Sequence, residues 1–258
     1  MGRDAIVDPW VPAPDDLAPR RDEVHVWRVA LDPPSPWVER FEAVLSPVER
    51  ARADRYHRAG DRARCVVGRG WLRTLLGRYL ADDPGRLEFR YGRQGKPELA
   101  GPAGVPPLRF NLAHSRDLAL LAVVQGRQVG IDLEAIRPLA DADRIIARFF
   151  SPRERADYLS LPEPERPDAF FRAWTRKEAY LKATGLGLSL ALDQFAVALA
   201  PGEPARLVHV EGRPHEPERW ALHDLEPGPG FTAALAVEGS GWRLRCYRTP
   251  GAMEAGPG

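Results

Sequence analysis

One short segment occurs twice in this chain, and the repetition limits the fold more than any other feature. Leu45-Ser-Pro-Val-Glu-Arg-Ala51 returns as Phe150-Ser-Pro-Arg-Glu-Arg-Ala156. In each copy a serine precedes a proline, and a glutamate follows the serine by three positions. This pattern is typical of a capping box, in which both side chains satisfy backbone N–H groups at the start of a helix. The sequence therefore predicts that a helix begins at each copy.

The elements predicted after each copy also match. A helical pattern follows at 61–80 in the first half and at 168–183 in the second. The strands predicted next are Leu87–Tyr91, Leu108–Leu112 and Leu118–Val124, then Phe195–Leu199, Trp220–Leu222 and Thr232–Val237. Coincidence is an alternative, because Ser-Pro-x-Glu-Arg is a common helix start, but the shared order favours duplication. We predict an α+β fold of two similar α/β halves related by a pseudo-twofold axis, with the active site in the cleft between them.

The duplication also predicts the domain limits. Residues 21–126 are expected to form the N-terminal half, and residues 127–248 the C-terminal half. The flanking segments 1–20 and 249–258 contain many Pro, Asp or Gly residues and have no periodic apolar pattern. We expect both of them to be disordered.

Composition excludes several classes of protein. The formal net charge is +1, so no overall field favours nucleic acid or an anionic membrane. No apolar run approaches the roughly 18–20 residues that span a bilayer. The first twenty residues lack the basic start and apolar core of a signal peptide. Two cysteines, Cys65 and Cys246, could pair, but two reduced thiols are favoured. We predict a cytoplasmic protein that binds neither nucleic acid nor membrane.

A strand-like segment carries two acids on one face. In Gln128-Val-Gly-Ile-Asp-Leu-Glu134 the apolar residues alternate with Gly130, Asp132 and Glu134. Same-face residues lie about 7 Å apart, so both carboxylates can reach one cation. A solvated strand face is the plain alternative. We read Gly130 as leaving room for the close approach of a ligand.

A helix-like segment carries another acid and a base. Within Phe170–Lys182, large apolar residues follow a helical stripe, and Glu178 and Lys182 are four residues apart on one face. An ordinary surface ion pair is the alternative. Three carboxylates without His or Cys suit a hard cation, which predicts Mg²⁺ with Mn²⁺ as its substitute. Lys182 would neutralise a phosphate oxygen, so the chemistry indicated is phosphoryl transfer.

Other polar residues in the first half suggest anion contacts. His114 and Ser115 follow a predicted strand in Asn111-Leu-Ala-His-Ser115, and Gly92-Arg-Gln-Gly-Lys-Pro97 is a turn-rich loop. A dense basic cluster could be a solvated helix face or a phosphate site; it comprises Arg50, Arg52, Arg55, Arg58, Arg62 and Arg64. Only three of the 37 basic residues are lysines, and all three fall in the segments described above: Lys96, Lys177 and Lys182.

These motifs together resemble the 4′-phosphopantetheinyl transferases, in particular the longer, pseudo-dimeric Sfp-like group. The resemblance runs from about Leu45 to Val197, and its specific parts are Gly130-Ile-Asp-Leu-Glu134 followed by Trp174-Thr-Arg-Lys-Glu-Ala-Tyr-Leu-Lys182. It implies an enzyme that moves the phosphopantetheine arm of coenzyme A to a serine of an acyl or peptidyl carrier protein and releases 3′,5′-ADP. The carriers implied are those of polyketide, non-ribosomal peptide or fatty-acid synthesis, and the enzyme is expected to be a monomer.

The resemblance also assigns roles to residues. Asp132, Glu134 and Glu178 would hold Mg²⁺ and, with Lys182, form the catalytic group. Glu154 matches a residue proposed as the general base for the acceptor serine. Lys182 and His114 would contact the pyrophosphate, Arg52 and Arg64 the 3′-phosphate, and Lys96 with Pro97 the adenine. The residues expected at coenzyme A are Arg52, Arg64, Gly95, Lys96, Pro97, His114, Ser115 and Lys182.

The chain departs from the family pattern at two positions. Ala113 stands where many relatives have Ser, and Cys65 stands where relatives often have Thr. Neither change removes a predicted metal ligand. The alternatives to the transferase are a catalytically inactive regulator that binds coenzyme A or a carrier protein, and a Mg²⁺-dependent nucleotide hydrolase. The hydrolase has no further support, since the chain lacks a Gly-rich phosphate loop.

Overall fold

A computed structural model describes residues 10–18, 20–32, 34–92, 94–100 and 107–249 of the chain. The first half contains β1 (Val11–Pro12), β2 (Glu23–Ala30), α1 (Ser35–Val44), α2 (Pro47–Ala53), α3 (Ala59–Leu80), β3 (Phe89–Tyr91), β4 (Pro97–Leu99), β5 (Leu108–Ser115) and β6 (Leu118–Gln125). The second contains β7 (Val129–Ala135), α4 (Ala142–Phe149), α5 (Pro152–Ser160), α6 (Arg166–Thr184), β8 (Phe195–Val197), β9 (Leu207–Val210), α7 (Glu216–Arg219), β10 (Trp220–Leu225), β11 (Phe231–Glu238) and β12 (Arg243–Arg248). None of the helices in these ranges has the length and apolar character needed to cross a membrane.

The element order confirms the predicted duplication. The series β2–α2–α3–β3–β4–β5–β6 in the first half corresponds to β7–α5–α6–β8–β9–β10–β11 in the second. In both series the first strand pairs with the last, and the last pairs with the one before it, antiparallel throughout. The protein is therefore an α+β fold built from one unit used twice.

Both predicted capping boxes are present, and each is part of a larger buried contact. Ser46 and Glu49 cap α2, and Ser151 and Glu154 cap α5. The Glu49 carboxylate also pairs with Arg73 of α3 at 2.6 Å. In the second half Glu154 pairs with Lys177 of α6 at 2.7 Å. Each half thus joins its short helix to its long helix through a buried ion pair.

Two of the predicted domain limits need correction. Strand β12 pairs in parallel with β2, so 243–248 complete the first sheet, which has the order β1-β12-β2-β6-β5. The segment 10–18 is not disordered, because β1 pairs with β12 and Trp10 is only 2% exposed. Thr249 bonds to the Arg28 carbonyl. The rest of the predicted disorder, at 1–9, 19 and 250–258, lies outside the described residues.

Three apolar clusters connect the helices and the sheets. Helix α3 packs on the first sheet, and α6 packs on the second. The third cluster lies between the two sheets and contains the inward side chains of β7, including Ile131 and Leu133, together with Ala113 and Leu120 from the first sheet. The other face of β7, which carries the two acids, is turned toward α6.

Gly130 allows α6 to pack directly on β7. A Cβ atom at this position would lie 2.1 Å from the Ala179 carbonyl oxygen and 2.3 Å from the Ala183 nitrogen. Both are backbone atoms of α6, which cannot move aside as a side chain can. The close approach inferred from this glycine is therefore that of a helix, where the sequence suggested a ligand.

We predict that Gly130→Ala lowers the free energy of unfolding by about 1–3 kcal/mol or more, because the added methyl group must push α6 away from β7. Gly60→Ala is the matched control, since nothing lies within 4 Å of its Cβ position near the start of α3. That control should be neutral or stabilising by up to about 1 kcal/mol. Urea denaturation measures both, and equal stability of the two variants would contradict the prediction.

Candidate active site

Strand β7 and helix α6 bring the predicted acids and the lysine together. The alternation of β7 directs Asp132 and Glu134 toward α6, where Glu178 and Lys182 lie one helical turn apart. Lys182 Nζ donates a hydrogen bond to Asp132 Oδ1 at 2.5 Å. Asp132 is buried, whereas the other three side chains are half-buried. The structure thus brings Asp132, Glu134, Glu178 and Lys182 together in one cluster, the acid junction.

Burial raises the pKa of all three carboxyl groups at this junction, and nearby carboxylates add to the effect on the two glutamates. Burial raises the pKa of Asp132 despite the nearby Lys182 ammonium. Burial and the charge of Asp132 raise the pKa of Glu134. The pKa of Glu178 is raised by burial first, and then by Asp132 and Glu134. Three acids therefore lie near the one ammonium of Lys182, so the cluster is short of positive charge.

The chemistry of these acids fits a hard cation, although their carboxylate oxygens do not yet surround one point as the ligands of a bound metal ion do. Asp132 Oδ2 is buried and has no hydrogen-bond partner in the described part of the chain. Its other oxygen is occupied by Lys182, and no group of three His, Cys, Asp or Glu side chains in that part is already arranged as a metal site. An orphaned carboxylate oxygen beside two further carboxylates is the donor chemistry that Mg²⁺ prefers. We conclude that the residues fit a cation that would draw them together.

Two side chains of the first half hold the outer edge of β7. Asn111 Oδ1 accepts a hydrogen bond from the Ile131 N–H at 2.8 Å. Ser115 Oγ accepts from the Ala135 N–H at 3.0 Å and donates to the Glu134 carboxylate at 3.4 Å. Ser115 was predicted to contact coenzyme A, but its hydroxyl is already engaged by β7. Its observed contacts are those of a residue that fixes the acid-bearing strand.

Lys96 also crosses between the halves. Its ammonium donates to the carbonyls of Val129 at 2.9 Å, Lys182 at 2.7 Å and Ala183 at 3.4 Å. Burial lowers the pKa of Lys96 to about 8. The predicted adenine contact is therefore not available to this ammonium, because all three of its hydrogens point to backbone. Gly95 before it has φ +78° and is exposed.

A cavity of about 380 Å³ lies on the first-half side of the junction. It is lined by Leu31, Arg52, Tyr56, Asp61, Arg64, Cys65, Gly68, Arg69, Pro97, Asn111, Leu112, His114, Arg116 and Ala119. The predicted residues Arg52, Arg64, Pro97 and His114 are all among them. Partial burial, then the charges of Lys182 and Arg69, lower the pKa of His114. His114 therefore connects the cavity with the acid junction.

The cations of this cavity differ in their partners. Arg64 donates to both carboxylate oxygens of Asp32, at 2.8 and 3.1 Å. Within the described ranges, Arg52, Arg69 and Arg116 have no hydrogen-bond or ion-pair partner. Arg69 and Arg116 were not among the residues predicted from the sequence. Arg69 could have been predicted, because it lies four residues after Cys65 on one face of the same helix, and both line the cavity. Arg116 could not, because it follows a strand in a left-handed backbone conformation that its local sequence does not indicate.

Glu154 is not placed to act as a general base. Its carboxylate is 0% exposed and accepts hydrogen bonds from the Ser151 N–H and hydroxyl, from Lys177 Nζ and from the Val197 N–H. A serine on another protein cannot reach a group that is sealed in this way. Glu49 has the corresponding position in the first half, which carries no acid junction. We therefore correct the predicted catalytic role of Glu154 to a structural one.

Comparisons with known proteins agree with this architecture. A family model described as the 4′-phosphopantetheinyl transferase superfamily matches residues 128–236, and one described as 4′-phosphopantetheinyl transferase, N-terminal, matches residues 32–126. The two matches meet where the second copy of the repeated unit begins.

Several curated relatives match over most of their length. The 4′-phosphopantetheinyl transferase HetI of Nostoc sp. is 44% identical over 92% of this chain and 97% of its own. A putative 4′-phosphopantetheinyl transferase of Synechocystis sp. is 39% identical over 66% of this chain and 68% of its own. The 4′-phosphopantetheinyl transferase Sfp of Bacillus subtilis is 33% identical over 74% and 81%. The chain therefore belongs to the 4′-phosphopantetheinyl transferase superfamily and is an enzyme of that family.

Proposed function

We propose that this enzyme transfers the phosphopantetheine arm of coenzyme A to a serine of an acyl or peptidyl carrier protein and releases 3′,5′-ADP. The proposal rests chiefly on one observation. A cavity lies beside a cluster of carboxylates, and three arginine side chains of its wall have no hydrogen-bond or ion-pair partner among the described residues. His114 lines the same cavity and is near enough for the charges of Lys182 and Asp132 to act on its pKa. Coenzyme A carries phosphates at two places, a 3′-phosphate and a pyrophosphate. The arginine-lined cavity matches the 3′-phosphate, and an acid junction that holds a divalent cation matches the pyrophosphate.

The cavity is suited to the nucleotide end of coenzyme A. Guanidinium groups bind phosphate oxygens through paired N–H donors. Arg52 and Arg69 are free to bind the 3′-phosphate, whereas Arg64 must first leave Asp32. Pro97 offers an apolar surface on which the adenine ring can lie.

The junction is suited to the pyrophosphate. Asp132, Glu134 and Glu178 would hold Mg²⁺, or Mn²⁺ in its place, and the bound metal would supply positive charge to the pyrophosphate. Lys182 can then contact a phosphate oxygen while it remains beside Asp132. This arrangement stabilises the negative charge that develops on the departing 3′,5′-ADP.

The reaction requires a proton acceptor as well. The carrier serine oxygen forms a bond to the phosphorus nearest the pantetheine, the P–O bond to 3′,5′-ADP breaks, and the serine proton leaves. Since Glu154 is sealed, the acceptor is to be sought among the half-buried carboxylates at the cleft, Glu134 and Glu178.

The proposed partner and oligomeric state of the enzyme follow from the same site. The acceptor is a carrier protein of polyketide, non-ribosomal peptide or fatty-acid synthesis, in the cytoplasm. Because one chain supplies both the cavity and the junction, the enzyme is proposed to work as a monomer. Nucleic acid and membranes are not among the proposed partners.

The test is to incubate the protein with Mg²⁺, coenzyme A and a panel of apo carrier domains, and to weigh each carrier by mass spectrometry. The proposal expects at least one carrier to gain the mass of one phosphopantetheine group at its serine. Coenzyme A binding without transfer to any carrier would favour the inactive regulator instead.

Replacing one acid at the junction should stop the reaction. We predict that Glu178→Gln lowers kcat at least a hundredfold, since it removes one anionic oxygen ligand and a possible proton acceptor while preserving shape. The thermal midpoint should hold or rise, because the acid is repelled by its neighbours. Asp168→Asn, an exposed acid on the same helix, serves as the control and should keep wild-type turnover. Wild-type turnover in Glu178→Gln would refute this assignment of the junction.

Replacing a cavity arginine should weaken coenzyme A binding selectively. We predict that Arg69→Met raises KM for coenzyme A about tenfold or more, as a lost charge-assisted hydrogen bond costs about 1.5–3 kcal/mol. The loss should be much smaller with dephospho-coenzyme A, which lacks the 3′-phosphate. Arg86→Met, an exposed site outside the cavity, is the control. Equal losses with both substrates would show that Arg69 does not read the 3′-phosphate.

A further inference from the structure

The Lys96 ammonium joins three backbone carbonyls from two different elements of the second half. Two of them, Lys182 and Ala183, belong to the last turn of α6, and the third, Val129, is the first residue of β7. An ammonium has three hydrogens and converging carbonyls can take all three. Lys96 comes from the first half, directly before β4. It therefore fastens both acid-bearing elements at one point.

The carbonyls that Lys96 binds lack other partners of the usual kind. The last four carbonyls of a helix have no intrahelical N–H, and a cation there is favoured by the helix dipole. In α6 the Leu181 carbonyl is taken by the Gly185 N–H, which leaves those of Lys182 and Ala183 for Lys96. The bond to Lys182 holds the same residue whose side chain contacts Asp132. A displacement of the Lys96 ammonium would therefore also displace the Lys182 side chain at the acid junction.

The rarity of lysine in the chain supports a specific need at this position. Lys177 likewise donates from one ammonium to closely spaced acceptors, the Glu154 carboxylate and the Phe195 carbonyl, whereas Lys182 donates to Asp132 alone. A guanidinium spreads its donors over a planar fork and cannot point three of them at converging oxygens. In a chain that otherwise uses arginine, Lys96 is retained where that geometry is required.

We propose that Lys96 is a positioning residue that sets the spacing between β7 and α6 and thereby the affinity of the acid junction for a divalent cation. The proposal deepens the proposed function and rests on it for the role of the cation. It differs from the adenine contact that the family resemblance implies for Lys96. Loss of an adenine contact would raise KM for coenzyme A, whereas loss of positioning would weaken metal binding and loosen the two elements.

The test compares Lys96→Met, Lys96→Arg and a control. Methionine keeps the length of the side chain and removes all three donors, while arginine keeps the charge and changes the donor geometry. Leu76→Ala, a fully buried truncation in α3, is the control for a general loss of stability. The free Mn²⁺ signal in electron paramagnetic resonance reports the dissociation constant of the metal, with and without coenzyme A. This readout does not require turnover.

We expect Lys96→Met and Lys96→Arg to raise the Mn²⁺ dissociation constant about tenfold or more, a loss typical of residues that orient metal ligands. At saturating Mg²⁺, their KM for coenzyme A should stay within about twofold of wild type, an effect below 0.5 kcal/mol. Hydrogen exchange should quicken in 129–135 and 179–186 beyond any change in Leu76→Ala. If Lys96→Met does not fold, Lys96→Arg alone decides the matter.

Three results would overturn the proposal. The first is unchanged Mn²⁺ affinity in a folded Lys96 variant. The second is wild-type affinity in Lys96→Arg with loss only in Lys96→Met, which would show that charge suffices without the three-fold geometry. The third is a raised KM for coenzyme A with normal metal binding. Failure of the wild-type protein to modify any carrier would count against the proposed function alone, since Mn²⁺ binding and exchange are measured without a carrier.

Discussion

In each half of the molecule a buried carboxylate joins the short helix to the long helix, and the position of the long helix depends on that contact. Glu154 caps α5, pairs with Lys177 of α6 and accepts from the backbone of β8. Glu49 does the same for α2 and α3 through Arg73. A buried pair of this kind adds little net stability, but losing one partner costs about 3–5 kcal/mol, because the other charge is left uncompensated. Its effect is to fix where the long helix lies on its sheet. The position of α6, and therefore of Glu178 and Lys182, follows from it.

The same scaffold carries different chemistry in its two copies. Trp27 and Asp132 each lie on the strand face that is turned toward the long helix of their half, and Arg78 of α3 and Lys182 of α6 each lie in the last turn of that helix. The last turn of the helix contacts the strand in both halves: Lys182 donates to Asp132 at 2.5 Å, and the Arg78 guanidinium lies 5.9 Å from the centre of the Trp27 ring. An ion pair in one copy is a cation–π contact in the other. Duplication thus supplied the scaffold twice, whereas the acids are present in one copy, and the other copy contributes the cationic cavity.

Local signals in the sequence were sufficient for some of this structure. The capping boxes and helical stripes predicted α2, α3, α5 and α6, and strand alternation predicted the acid face of β7. The pairing of β12 with β2 was missed, because it joins residues from opposite ends of the chain and leaves no local pattern. The buried contacts of Glu154, Ser115 and Lys96 were not predicted for a related reason: residue type indicated polarity, and only tertiary packing decides whether a polar group faces a ligand or a backbone. For Glu154 a signal did exist, since Glu49 repeats it in the half without the acids.

The charges at the cleft explain why its two sides depend on each other. Three carboxylates with Lys182 as their near cation leave the junction negative, and a pyrophosphate brought there alone would be repelled. A divalent cation reverses that sign, so metal and pyrophosphate would each favour the binding of the other. In the proposed function the arginines of the cavity would act on the far end of the same ligand. Among the described residues, the carboxylates paired with these arginines are Asp32 and Asp61, both beside Arg64. A ligand bound in this way would have to match both ends at once, and this would require a fixed distance between the halves. Lys96, Asn111 and Ser115 lie on that boundary and bind backbone on both sides of the acids.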